Sequence, residues 1–307
     1  MEYIFRSQNL KKSYRGHKAL DGVTMNIKKG DIYGFVGENG SGKTTIIRVI
    51  TGLIFPDSGD FELFGVKNTS SEILSARKRL GAIVESPSIY LNMSAYDNLR
   101  MQADIFGSYD ENKIKEVLSL VGLSYLETDK KKAGDFSLGM RQRLGIAMAL
   151  ILDPELIILD EPMNGLDPAG IVEIRELILK LNKEKGITFL ISSHILTELA
   201  LVATNYGIIS KGRIIKEISS EQLQKECRHY THIETAEIDL LVAALKGLFD
   251  EKDIEPTIDR VKIYGDFSIN DTIPKIIDAG VTITAINTVK SSIEDYYLST
   301  IGGKQND

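Results

Sequence analysis

The feature that most constrains the fold is a glycine-rich segment near the N-terminus, GENGSGKTT at residues 37–45. It matches the spacing GxxxxGK[ST], and the apolar run Ile32–Val36 before it predicts a buried strand, while Thr44–Thr51 predicts a helix. Glycines let such a loop curl so that its N–H groups and the positive end of the following helix face phosphate oxygens. We therefore expect the phosphates of a nucleotide to be bound by the whole segment, namely Gly37, Glu38, Asn39, Gly40, Ser41, Gly42, Lys43, Thr44 and Thr45.

Two carboxylates complete the predicted catalytic site. The short apolar run Leu156–Leu159 is followed by Asp160 and Glu161. Lys43 is expected to reach the β- and γ-phosphates of ATP, and the Thr44 hydroxyl and the Asp160 carboxylate offer Mg²⁺ the hard oxygen ligands it prefers. Glu161 points elsewhere and is the candidate general base that polarises the attacking water. The pattern predicts a site that binds ATP and Mg²⁺ and hydrolyses the nucleotide.

The surrounding pattern favours an α/β fold. Thr188–Ser192 is a third apolar run, which follows the helical pattern of Ile171–Asn182, so a parallel sheet with crossover helices is expected. Between the glycine-rich loop and the apolar run Leu156–Leu159, the segment Ala95–Leu126 predicts an all-helical insert. We expect one domain over residues 1–220, with the helical insert at about 90–150.

A different pattern begins after residue 220. Three apolar strand candidates alternate with three helix candidates, which predicts a small C-terminal α+β accessory domain over residues 221–307. The strand candidates are His229–Ile233, Val261–Tyr264 and Val281–Ile286. The helix candidates are Glu237–Phe249, Ile273–Ala279 and Ile293–Leu298.

Composition indicates where the protein is located and which partners it is expected to bind. The 307-residue chain carries 37 basic and 43 acidic residues, and its net charge of −6 disfavours binding to nucleic acid. The single cysteine, Cys227, cannot form an internal disulfide. The first residues lack the pattern of a signal peptide, and no apolar run reaches the ~18 residues of a membrane span. We expect a cytoplasmic protein that cannot itself form a pore.

A further segment, FSLGMRQR at residues 136–143, resembles the LSGGQ signature of the ATP-binding cassette (ABC) family. The resemblance spans residues 4–219 and implies a P-loop NTPase cassette of the ABC type. It also implies that Ser137 and Gly139 contact the γ-phosphate of a nucleotide held by another subunit, where a helix N-terminus suits an anion. Leu138 and Met140 depart from the usual glycine and glutamine of the signature.

Three other positions follow the order of the family's motifs. Asn164-Gly165-Leu166-Asp167 resembles the D-loop, which implies that Asp167 lies near the opposing P-loop. Ser192-Ser193-His194 resembles the switch loop, in which His194 contacts the γ-phosphate and orients the water. Tyr14 matches the aromatic residue that stacks on adenine.

Glu85 is the most informative departure from the general pattern. Most members of the family carry glutamine there, in the loop that touches Mg²⁺ and faces the membrane partner, whereas glutamate resembles the subgroup for bacitracin export and lantibiotic immunity. A carboxylate at this position can bind Mg²⁺ more strongly than a neutral amide. Ser86-Pro87, the stretch Tyr90–Leu99 and the tail at residues 292–297 are also similar to that subgroup.

The resemblance implies the partners. One chain carries both half-sites, so two chains are expected to enclose each ATP, as a homodimer or as a heterodimer with a similar ATPase. A separately encoded integral-membrane permease would hold the pair at the inner face of the cell membrane. The alternative is an ABC ATPase without a permease, in translation or DNA maintenance; a single P-loop, the lack of a heptad run between Thr45 and Ser137, and the acidic charge disfavour it.

Overall fold

A computed structural model of the chain describes residues 2–227, 229–289 and 293–302. It divides into two compact units, Met1–Ser220 and Glu221–Asp307. Met1 and Ser292, which belong to the N-terminal and tail segments interpreted above, lie outside the described residues.

The strands of the first unit form two sheets. In chain order they are β1 (Tyr3–Tyr14), β2 (His17–Lys28), β3 (Ile32–Val36), β4 (Ser58–Leu63), β5 (Val66–Lys67), β6 (Leu80–Ile83), β7 (Leu156–Asp160), β8 (Thr188–Ser193), β9 (Asn205–Ser210) and β10 (Arg213–Ser219). The helices are α1 (Lys43–Thr51), α2 (Ile73–Arg77), α3 (Ala95–Ile105), α4 (Glu111–Leu120), α5 (Leu138–Leu150), α6 (Pro168–Lys185), α7 (Leu196–Leu199) and α8 (Ser220–Glu226), the last of which continues into the second unit.

The central sheet has the strand order β10-β9-β3-β8-β7-β6 among the described residues. Its strands are parallel except β10, which pairs antiparallel with β9. Every residue of β3, β7 and β8 is buried, as expected for parallel strands covered on both faces. The three apolar runs found in the sequence are these strands, and the prediction of an α/β fold is confirmed.

The second sheet of this unit is antiparallel and was not predicted. Its order is β2-β1-β4-β5, and β1 and β2 are joined by a tight turn at Arg15-Gly16, both in the left-handed region. The register of β1 against β2 shifts at four places, so the alternation of apolar and polar residues that marks a half-buried strand is broken. Phe5 and Phe61 pack with ring centroids 5.8 Å apart in the core that this sheet shares with β3, β7 and α1.

The helical insert occupies the connection from β6 to β7. The helices α3, α4 and α5 lie there, and no strand occurs between Ile83 and Leu156, a stretch that the structure describes throughout. Asp110 caps α4 by accepting a hydrogen bond from Asn112 N–H at 2.9 Å, and Ser94 caps α3 through Asp97 N–H at 3.1 Å. Ile114, Val117 and Leu118 form the buried stripe of α4.

The second unit has the succession βαββαβ. It contains β11 (Tyr230–Glu234), α9 (Ile238–Lys246), β12 (Ile254–Pro256), β13 (Arg260–Tyr264), α10 (Ile269–Asp278), β14 (Ala285–Val289) and α11 (Ile293–Gly302). The antiparallel sheet order is β12-β13-β11-β14, which is that of ferredoxin-like folds. Ile233, Val261 and Ile263 from its strands pack against Leu241 and Ile276 from its helices.

One strand of this unit was placed wrongly. The sequence predicts Val281–Ile286, whereas β14 is Ala285–Val289. Val281 is buried because it fills the core from a loop, directly after Gly280 in the left-handed conformation, and not because it belongs to a strand. The short strand β12 was not predicted.

Candidate nucleotide site

The glycine-rich loop links β3 to α1 and is built so tightly that a side chain is excluded at two of its glycines, Gly37 and Gly42. A Cβ on Gly37 would lie 2.5 Å from Ile209 O, and one on Gly42 would lie 2.6 Å from Ala19 O. Gly42 also has a φ of 114°, a conformation that residues with a side chain rarely adopt. The N-terminus of α1 therefore opens directly on the loop, as an anion site requires.

Lys43 is a buried cation held inside this loop. Its side chain is 5% exposed, and its Nζ donates hydrogen bonds to Gly37 O at 2.6 Å and to Glu38 O at 3.2 Å. Glu161 Oε1 lies 3.3 Å from the same Nζ. Since a buried charge is costly without a partner, these three oxygens stabilise the ammonium group at the point where phosphates are expected.

Thr44 and Asp160 face each other across α1 and β7. The Thr44 hydroxyl donates to Asp160 Oδ2 at 2.9 Å, and the Ser192 hydroxyl donates to Asp160 Oδ1 at 2.5 Å. The set consists of a hydroxyl and a carboxylate, which are hard oxygen ligands, and a phosphate-bound Mg²⁺ needs only one or two of them because it keeps several waters. These residues fit the predicted Mg²⁺ site.

Glu161 lies between two partners. Its Oε2 is 2.5 Å from His194 Nδ1, while Lys43 contacts its other oxygen. Its backbone has a φ of 51° and is fixed by hydrogen bonds from its N–H to Ser192 O at 3.2 Å and to Ser192 Oγ at 2.9 Å. The two residues are adjacent, but their carboxylates have different partners: Asp160 contacts Thr44 and Ser192, and Glu161 contacts Lys43 and His194.

Ser192 is a member of this site that the sequence did not single out as functional. It is fully buried at the end of β8, in register with Asp160, and it bridges Asp160 and Glu161. Glu198 lines a neighbouring pocket together with Glu161 and His194. Burial raises the pKa of the Glu198 carboxyl; the charge of His194 lowers this pKa and the charge of Glu161 raises it. A carboxylate four residues after His194 could have been noted from the sequence, whereas the role of Ser192 depends on strand register.

A cleft of about 530 Å³ gathers most of the predicted residues. Tyr14, 41% exposed, lies at its edge beside His17, its partner across the Arg15-Gly16 turn. His17 was not predicted, although the turn signal places it opposite Tyr14. The lining comprises Tyr14, His17, Ala19, Asn39, Gly40, Gly42, Lys43, Thr44, Thr45, Glu85, Asp160, Glu161, Asn164 and His194.

Three residues of the predicted phosphate loop support the cleft and do not line it. Gly37 closes the end of β3, and the Glu38 carbonyl accepts from Lys43 and from Ser41 N–H, the latter at 3.1 Å. Ser41 is buried, and its hydroxyl has no hydrogen-bond partner within the described chain. A buried hydroxyl without a partner is costly, so it is a ready donor for an incoming ligand.

Glu85 reaches the cleft from the end of β6, but its carboxylate is paired with the Arg48 guanidinium of α1. Its backbone has a φ of 63°. The predicted role as a Mg²⁺ ligand therefore stays a prediction: Glu85 lines the same cleft as Thr44 and Asp160, with Arg48 as its partner.

The signature residues lie elsewhere. Ser137 caps α5 by accepting from Met140 N–H at 3.2 Å, and Asp167 caps α6 by accepting from Gly170 N–H at 3.0 Å. A Cβ on Gly139 would lie 3.9 Å from Leu166 Cδ2, so the signature adjoins the predicted D-loop. Ser137, Gly139 and Asp167 are absent from the lining of the cleft that contains Lys43. The residues predicted to form the signature half-site are therefore separate from the cleft that contains Lys43.

No helix in the described ranges 2–227, 229–289 and 293–302 is both long enough and apolar enough to span a membrane.

Comparisons with known proteins show the family to which the chain belongs. A family model described as ABC transporter matches residues 20–164. The chain is 44% identical over 307 residues to a protein of Bacillus licheniformis named bacitracin transport ATP-binding protein BcrA, covering 99% of each chain. It is 45% identical over 214 residues to the lantibiotic transport ATP-binding protein SrtF of Streptococcus pyogenes, covering 70% of this chain and 90% of the relative.

A solved structure shows the same fold. It is the ADP conformation of MJ1267, described as an ATP-binding cassette of an ABC transporter, with a TM-score of 0.66 and 28% identity over 74% of this chain and 95% of that one. None of these names supports the alternative of an ATPase in translation or DNA maintenance. With the P-loop, the two carboxylates and a relative matched over its whole length, the chain belongs to the family of ABC transporter ATP-binding proteins.

Proposed function

We propose that this chain powers the export of, or immunity to, a peptide antibiotic of the bacitracin or lantibiotic type. As an ABC ATP-binding protein it hydrolyses ATP to drive transport. The observation that carries the narrower proposal is Glu85, a carboxylate in the nucleotide cleft where most of the family has glutamine. The similarity to BcrA over 99% of both chains supports it, because it includes the C-terminal unit as well as the cassette.

The residues of the cleft take the following roles in this proposal. Lys43 and the loop at residues 37–45 bind the phosphates, and Tyr14 stacks on the adenine. Thr44, Asp160 and Glu85 would hold Mg²⁺, which would neutralise phosphate charge. Glu161 accepts a proton from the attacking water, and His194, in contact with Glu161 Oε2, orients that carboxylate.

The separation of the half-sites supports a two-chain arrangement. Ser137 and Gly139 of one copy would complete the cleft that contains Lys43 in another, with Asp167 beside it. ATP then stabilises the closed pair because it binds both chains, and hydrolysis removes that stabilisation. The partner is a second copy of this chain or a similar ATPase.

A groove beside Glu85 supports the assignment of a membrane partner. It has a volume of about 400 Å³ and is lined by residues from four segments of the chain, among them the apolar residues Leu53, Ile83, Phe106 and Met148. Leu53 and Phe106 are 65% and 48% exposed. We propose that a cytoplasmic segment of a separately encoded permease fills this groove and that the chain works at the inner face of the cell membrane. Residues 1–220 then form the ATP-binding domain and residues 221–307 an accessory domain.

Survival of an antibiotic-sensitive host tests this function. Cells that express the chain together with its permease should tolerate more bacitracin or lantibiotic than cells that express the permease with the Glu161→Gln variant. Equal survival with both antibiotics would refute the proposal. Leu53→Glu should lose tolerance while retaining ATPase activity in isolation, and Leu201→Glu, at a residue 60% exposed outside the groove, is the matched control.

A further inference from the structure

Glu85 and Glu161 follow the carboxyl ends of neighbouring parallel strands. The strands β6 and β7 pair Ile83 with Leu159, Glu85 and Glu161 each come two residues later, and both line the same cleft. Both residues have left-handed backbones, with φ values of 63° and 51°. A non-glycine residue keeps this conformation only where its surroundings hold it, and such strain is concentrated at functional sites.

The two carboxylates have different cationic partners from the same helix. Lys43, at the start of α1, contacts Glu161, and Arg48, in its last turn, contacts Glu85. Thr44 and Arg48 are four residues apart and therefore share one face of α1. The helix thus presents the predicted Mg²⁺ hydroxyl and the Arg48 guanidinium side by side to the ends of β7 and β6.

The Arg48–Glu85 ion pair is open to solvent, so a competing ligand can reach it. Their side chains are 38% and 61% exposed, whereas Lys43 and Glu161 are 5% and 21% exposed. An exposed ion pair is weak, so a stronger ligand for the carboxylate can replace the guanidinium. A divalent cation at Thr44 and Asp160 is such a competitor, because it carries twice the charge and Glu85 lines the same cleft.

The segment that carries Glu85 is anchored to the helical insert. Pro87 packs against Gly145 of α5 so closely that a Cβ on Gly145 would lie 2.6 Å from Pro87 Cβ. Ser137, at the N-terminus of α5, begins the signature half-site. Glu85 therefore lies two residues from Pro87, which packs against the helix that begins at the signature half-site. A change of partner at Glu85 takes place next to this contact.

We infer that Arg48 is a positioning residue that holds the Glu85 carboxylate in the absence of metal and competes with Mg²⁺ for it. This inference rests on the proposed role of Glu85 as a Mg²⁺ ligand. Arg48 sets how much Mg²⁺ is needed before Glu85 leaves α1, and so it controls when the segment at residues 84–88 responds to the nucleotide.

The test measures the Mg²⁺ concentration at which half of a fluorescent ATP analogue is bound, with no turnover involved. Arg48→Gln should lower this concentration about two- to fivefold, because the competitor for Glu85 is removed. Glu85→Gln should raise it. In the double variant, the effect of Arg48→Gln should disappear, because the carboxylate for which it competes is no longer present.

Arg100→Gln is the matched control. Arg100 forms another exposed ion pair, at 3.7 Å from Asp104 on α3, and its loss should leave the Mg²⁺ dependence unchanged. An unchanged Mg²⁺ dependence in Arg48→Gln, or an equal effect with and without Glu85, would overturn the inference. If Glu85→Gln itself has no effect, the proposed metal role of Glu85 fails, which is a distinguishable result.

Discussion

His194 Nδ1 lies 2.5 Å from Glu161 Oε2, so the histidine of one strand end and the carboxylate of the next form a single unit in the cleft. Lys43 contacts the other oxygen of the same carboxylate at 3.3 Å. Glu161 is thus fixed from both sides, which suits a base that has to act on one water in one place.

Replacing Glu161 with glutamine should therefore stop turnover without preventing binding. The amide keeps the shape of the side chain but cannot accept a proton, so we expect phosphate release to fall by about 100-fold or more. Size-exclusion chromatography with Mg-ATP should show a trapped dimer. Glu155→Gln, at a residue paired with Lys29 and Arg79, should retain activity as the control. Normal turnover in Glu161→Gln would remove the assignment of the base.

Substitutions of Tyr14 test whether this residue contacts the adenine. Tyr14→Ala should weaken ATP binding by about fivefold to 100-fold, since stacking on an aromatic ring is worth about 1–3 kcal/mol for a base. Tyr14→Trp should preserve affinity, and because the chain contains no tryptophan it would supply a single fluorescence signal that ATP quenches. If Tyr14→Ala binds ATP as tightly as the parent, the adenine lies elsewhere.

The packing of the Glu85 segment on α5 predicts opposite effects for two glycines of one helix. Gly145→Ala should lower the free energy of unfolding by about 1–3 kcal/mol, because its Cβ would collide with Pro87. Gly139→Ala, with the nearest atom at 3.9 Å, should raise it by up to about 1 kcal/mol through helix propensity. Urea denaturation measures both. An equal gain in stability for the two variants would show that Pro87 yields easily.

Acid should weaken the contacts between α4 and α6. The hydrogen bond from Lys185 lowers the pKa of Glu116, an effect that desolvation opposes and Lys113 reinforces. A carboxylate with a lowered folded-state pKa contributes stability above its unfolded pKa of about 4.5 and loses it as the pH falls through the folded value. Lys185→Met should therefore cost about 0.2–1 kcal/mol at pH 7, since the pair is exposed, and less below pH 4.5.

The urea midpoints of the parent and Lys185→Met, compared at neutral and acid pH, check this expectation. Lys183→Met changes a lysine in the same turn, one without an ion pair in the described part of the chain, and it should cost less. A difference between the parent and Lys185→Met that persists unchanged at low pH would mean that Lys185 acts through packing alone.

Local sequence patterns predicted the structure correctly where the residues of the predicted elements are neighbours in the chain. The strand β3, the glycine-rich loop and α1 form one continuous segment, and the boundaries of β3 agree with the apolar run Ile32–Val36. The antiparallel sheet was missed because the bulges in β1 break the alternation on which such predictions depend. Val281 misled the prediction of β14 because apolar composition does not distinguish a buried loop from a strand.

The sequence by itself determined membership of the ABC family, and it predicted the chemistry from a phosphate loop with Lys43 and Thr44 and a pair of carboxylates at Asp160 and Glu161. The tertiary structure decided the partners of those groups. The Ser192 hydroxyl donates to the Asp160 carboxylate and accepts from the Glu161 backbone N–H, and Arg48 is paired with Glu85, because parallel strand register and one helix face bring together residues more than 30 positions apart. Spacing along the chain carries no information about such contacts, since they depend on how α1 packs against the ends of β6 and β7.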